Sequence, residues 1–166
     1  MTSAASPPGM AAQGNAGHDI AAPGVAGQGI AAPDMATLGT APHEQVFPAD
    51  ASQVGAARGF LSAILADSPA ADAAVLCLSE LATNAITHSR SREPGGSFTV
   101  RVQASGQRLR VEVSDQGGPW HPREQASTDD PTGRGLLIVG QLAARWGCEG
   151  HSRAGWTVWF ECETGQ

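Results

Sequence analysis

Residues 97–115 contain two runs, "SFTVRVQA" and "RLRVEVSD", that alternate apolar and polar side chains on either side of "SGQ". Period-two patterning around a short Gly-containing turn predicts an antiparallel hairpin. It places Phe98, Val100 and Val102 on one face together with Leu109, Val111 and Val113. A sheet with one apolar face must bury that face against a second layer. The segments on either side of the hairpin supply helices for that layer.

Upstream, "VFPAD" reads as a short strand ending at Pro48, with Asp50 placed to cap a helix over about 51–66. Val54, Ala57, Leu61, Ile64 and Leu65 recur there at helical spacing. Ser68 and Pro69 suit the N-cap and first position of a second helix over about 70–89. Downstream, a Gly/Pro/Asp-rich connection from Gly117 to Gly133 leads into "GLLIVGQLAARWG", read as an apolar helix closed by Gly147. "AGWTVWFECE" forms a last strand.

The first 45 residues are different in kind, being Ala, Gly and Pro with the short repeat "GHDIAAPGVA" and "GQGIAAPDMA". So few large apolar side chains cannot offset the entropy of ordering the chain. Residues 1–45 are therefore expected to be a disordered tail, and 46–166 the folded domain.

Composition excludes several chemistries. All ten basic residues are Arg, so neither a P-loop lysine nor a Schiff-base lysine exists. Sixteen acids against ten scattered Arg disfavour a nucleic-acid or anionic-membrane partner. Cys77, Cys148 and Cys162 are odd in number and never form a CxxC pair, which suggests neither a disulfide framework nor a zinc site. With no signal-like N-terminus and no apolar run of membrane length, a cytoplasmic protein is expected.

Three places carry polar groups that a core does not need. In "SELATNAITHS", Glu80, Asn84 and His88 drift by only about 40° per step around a helix and share one face. Taken alone, such a stripe is what a solvated helix surface carries. Counting by twos from Leu109 brings Asp115 onto the inward side of its strand, although Asp there also opens the turn "DQGG". Gly117 and Gly118 would let a flat ligand approach the backbone. In "TGRGL", two glycines precede an apolar helix whose free N–H groups attract phosphate, with Arg134 between them.

In this order, "SELATNAITHS", "VEVSDQGGPW" and "GRGLLIVGQLAARWG" resemble the Bergerat-fold ATP-binding superfamily of histidine kinases and gyrase-type ATPases. They are most similar to its small bacterial branch, the anti-sigma-factor serine kinases. The resemblance implies an α/β two-layer sandwich, with a mixed, mainly antiparallel sheet covered on one face by helices. It also implies ATP and Mg²⁺ as ligands. Asn84 would hold the metal and Glu80 would be general base for the attacking hydroxyl. Asp115 would accept the adenine amino group with Gly117 close to the base. Gly133, Arg134, Gly135 and Leu136 would close on the phosphates, and His88 would line the site. One departure is visible: members of this branch commonly carry a basic residue where Trp156 stands. Trp156 and Trp159 are read as core or partner surface.

The function implied is a serine/threonine protein kinase that phosphorylates an anti-sigma-factor antagonist and holds a sigma factor in turn. A non-catalytic, ATP-responsive binding module is the alternative, and a homodimer is left open.

Overall fold

The computed structural model describes residues 20–21, 41–66, 68–119, 134–151 and 153–164. Its strands are β1 (Ile20–Ala21), β2 (His43–Pro48), β3 (Ser97–Ser105), β4 (Arg108–Ser114), β5 (Arg145–His151) and β6 (Gly155–Glu163). The helices are α1 (Gln53–Leu65), α2 (Ala71–His88) and α3 (Arg134–Leu142), with a 3₁₀ turn at Arg90–Arg92 after α2. The sheet runs β1-β5-β6-β4-β3-β2, and every ladder is antiparallel.

The hairpin forms in the expected register, Val100 opposite Val113 and Val102 opposite Val111. Its turn is made by Gly106, at φ 59°, and Gln107. All six residues of the inward set are buried, with Phe47, Val158 and Phe160 continuing the same face on neighbouring strands. Three helices cover that face. α1 contributes Ala57, Leu61 and Leu65, α2 contributes Cys77, Leu78, Leu81, Ala82 and Ala85, and α3 contributes Leu136 and Val139. Each fully buried Leu is worth roughly 1.5–3 kcal/mol. At the β2 end, Phe47 stacks on Phe98 with ring centroids 5.4 Å apart and meets the edge of Phe60 at 6.1 Å.

Among the described residues the opposite face carries no helix and is covered by its own side chains. Trp159 lies across Gly147, a position where a Cβ would stand 2.7 Å from its ring. The Arg110 guanidinium covers the indole 3.9 Å from its centroid and pairs with Glu112, Glu149 and Glu161. The two tryptophans of β6 are thus both buried, Trp159 beneath this charged layer.

Three local expectations are corrected. The third helix does not run to Gly147: α3 stops at Leu142, and Arg145–His151 is a strand paired to β6 along its length. Ala143 and Ala144 make the break, with the Ala144 N–H already bonded to the Glu161 carbonyl of the sheet. Second, Asp50 caps a turn rather than the helix, its Oδ1 accepting from the N–H and hydroxyl of Ser52, at 2.8 and 2.6 Å. Third, α2 starts at Ala71, and Pro69 lies in the preceding turn, where Ser68 Oγ accepts from the Ala70 N–H. The first strand also begins at His43, upstream of Val46, and Ile20–Ala21 pairs with Trp146–Arg145 at the far edge of the sheet.

Candidate functional site

The face of α2 that bears Glu80, Asn84 and His88 is neither wholly wet nor wholly buried. Glu80 and His88 are partly exposed, whereas Asn84 is only 6% exposed. Its carboxamide has no hydrogen-bond partner among the described residues. Its polar end is not among the buried atoms left without a partner, so it reaches solvent and is accessible to a ligand.

Asp115 follows the last residue of β4, and its carboxylate is held by backbone. Oδ1 accepts the Gly117 N–H at 2.6 Å and the Trp156 N–H at 3.1 Å. The same oxygen thus takes two fixed donors, which sets the side-chain rotamer. Burial pushes its pKa above the ordinary 3.8, opposed by those two N–H groups and by the charge of Arg90. Gly117 and Gly118 take φ values of 73° and 144°, open to glycine and strained for other residues. The loop lies against the end of α2, where a Cβ on Gly118 would stand 3.4 Å from the Ser89 Cα.

The start of α3 reaches α2 from the other side. A Cβ on Gly135 would stand 2.6 Å from Glu80 Oε2, so the first turn of α3 and the Glu80 carboxylate are immediate neighbours. Leu136 is buried beneath that turn and Arg134 is exposed at its start. Two contacts link these elements. α3 meets α2 at Glu80, and the Asp115–Gly118 loop meets the end of α2 beyond His88. Gly133 and the other residues of 120–133 lie outside the described residues.

Sequence reasoning missed the 3₁₀ turn after α2. Ser89 Oγ donates to the Ala85 carbonyl and accepts the Ser91 N–H, while Ser91 Oγ accepts the Gln116 N–H at 3.0 Å. Arg90 donates to the Gln116 and Arg153 carbonyls. The contacts to Gln116 and Arg153 span 25 to 63 residues of sequence, and no local pattern announces them. An open groove of about 580 Å³ borders this turn, lined by Thr87, His88, Arg90, Arg92 and Pro119 among others.

Mg²⁺ fits the donor set. It prefers hard oxygen ligands and takes most of them from water and substrate phosphates, so few protein donors are needed and an amide oxygen is of the right chemical kind. Among the described residues no three His, Cys, Asp or Glu side chains converge as a metal centre. The Asn84 carboxamide oxygen is the group that would hold such an ion, which would draw charge from the phosphates.

Residues 47–161 match the histidine kinase-like ATPase domain family, and the chain belongs to that family. In fold it is similar to a crystal structure of the RsbU and RsbW domains of Rv1364c from Mycobacterium tuberculosis, with a TM-score of 0.60 and 19% identity. That match covers 76% of this chain and 33% of the other, so the chain spans about a third of that protein's length. No curated protein matches the sequence. Among the described residues, no helix is long and apolar enough to cross a membrane.

Proposed function

We propose that this protein is an ATP-dependent serine/threonine protein kinase of the anti-sigma-factor type, acting in the cytoplasm on an anti-sigma-factor antagonist. The observation that carries the reading is the placement of Glu80. Its carboxylate lies against the first turn of α3, one helical turn from the nearly buried Asn84. A module that only bound nucleotide would not need an ionisable oxygen there.

In this reading Asp115 Oδ2 accepts the adenine amino group while Oδ1 stays with the backbone. Guanine presents a carbonyl at that position and would be repelled. Asn84 holds Mg²⁺, and the first N–H groups of α3, with Arg134, receive phosphate oxygens. Glu80 takes the proton from a serine or threonine hydroxyl as its oxygen bonds to the γ-phosphorus, and ADP departs with the electrons of the broken bond. Family membership supports nucleotide use. The fold likeness to a structure containing an RsbW domain is in keeping with a protein antagonist as partner.

The test is incubation of the full chain with Mg·ATP and a candidate antagonist. Glu80→Ala should lower label transfer by about 10²–10⁴-fold while leaving ATP binding nearly intact. Tight ATP binding with no transfer by the wild type would establish the alternative, an ATP-responsive binding module.

A further inference from the structure

Two backbone donors hold Oδ1 of Asp115, and they come from separate segments: Gly117 on the loop after β4 and Trp156 on β6. One side chain ties both segments. The Arg90 guanidinium donates to the Gln116 carbonyl through Nε at 3.1 Å and Nη2 at 2.9 Å, and through Nη2 to the Arg153 carbonyl at 2.8 Å. Gln116 immediately precedes Gly117, and Arg153 lies in the β5–β6 turn that leads into Trp156. The backbone of the same residue adds a bond from the Arg90 N–H to the Gly117 carbonyl at 2.6 Å. The turn itself is tight, since a Cβ on Gly155 would run into the Asp115 carbonyl.

We infer that Arg90 is the positioning residue of the adenine subsite, a clamp that sets the two backbone segments so that Asp115 keeps one oxygen bound and offers the other to the base. The inference rests on the nucleotide reading above. Arg90 is exposed, so no core packing requires a guanidinium at this position. A planar fork with several fixed donors can bridge two carbonyls at once, whereas a lysine ammonium on a flexible stem is a poor substitute. The cation also lies close enough to Asp115 to favour its ionised, accepting form.

The experiment compares the full-length wild type with Arg90→Ala and Arg90→Lys. Binding of Mg·ATP and Mg·GTP is measured by calorimetry, and amide hydrogen exchange is followed without nucleotide. Arg90→Ala should lose about 10- to 100-fold in ATP affinity, the effect of losing hydrogen bonds from a charged donor. Its affinity for GTP should change far less, so that purine preference collapses. Exchange at residues 115–118 should quicken, and Arg90→Lys should recover only part of either effect. An equal loss for both nucleotides, or unchanged ATP affinity with unchanged exchange, overturns the clamp. A wild type that binds no ATP overturns the nucleotide reading itself, and the clamp with it.

Discussion

Gly135 faces Glu80 so closely that a methyl group on it would stand 2.6 Å from the carboxylate oxygen Oε2. The obstacle is the far end of a flexible side chain, so the protein can accommodate the methyl by turning Glu80 aside. Gly135→Ala is therefore expected to leave the melting temperature nearly unchanged and ATP binding largely intact. Phosphoryl transfer should fall by about the 10²–10⁴-fold expected for loss of a positioned base. Parallel thermal unfolding and transfer assays check this, and a variant with full transfer would show that the neighbouring pair has no catalytic meaning.

Asp115 gives a pH dependence with opposite signs for stability and binding. Its folded-state pKa is raised by burial, so just above 3.8 the folded chain binds more protons than the unfolded one. The stability contributed by that proton is present at low pH and lost as pH rises through the folded value. Adenine recognition needs the ionised acceptor and should strengthen over the same window. Asp115→Asn keeps an oxygen for Gly117 and Trp156 and removes the charge. At neutral pH it should melt higher than wild type without nucleotide, yet lose the added stability that Mg·ATP confers. Thermal unfolding against pH, with and without ADP, measures both trends.

The thiols of Cys77 and Cys162 are each pushed up to about 12, chiefly by burial. At pH 8 only roughly one in ten thousand of such thiols is ionised, and the thiolate is the reactive form. Labelling of these two cysteines by a disulfide reagent should follow the rate of unfolding, with no rapid phase. Mass-resolved labelling over time checks it.

On the sheet face away from the helices, Gly147 makes room for Trp159. The ring is rigid and pinned beneath Arg110, so Gly147→Ala forces it or the strand to shift. A loss of about 1–3 kcal/mol is expected, read from the denaturant midpoint. ATP affinity should not change, because the site is on the other side of the sheet.

The hairpin was legible because its alternation is strict and each inward residue is apolar, so one register alone buries all six. Asp115 was legible for the same reason, as the next position in that count. β5 was not. "RWGCEGH" has two glycines and no β-branched residue, and the apolar helical run before it continues without a strong stop until Ala143–Ala144. Pairing with β6 along its length, and with β1 at its start, makes it a strand, with Trp146 and Cys148 turned to the core. Within the site, α2 announced its polar stripe but not which member was buried. That Asn84 is enclosed while Glu80 and His88 are not depends on how α3 and the loops pack, and spacing along one helix does not encode it. Arg90 was hidden more completely, since its partners are carbonyls that any residue type would present.

The same break that made β5 hard to foresee has a mechanical result. Trp146 enters the core three residues after Ala143, and its indole nitrogen would lie 3.2 Å from a Cβ at Gly140 near the end of α3. The C-terminal end of α3 is thus moored to the sheet through β5, while its first turn packs on α2, with Gly135 against the Glu80 side chain. In the proposed nucleotide reading, a phosphate received at Arg134 would act on the first turn of α3, where Gly135 meets Glu80, rather than on the end moored to the sheet.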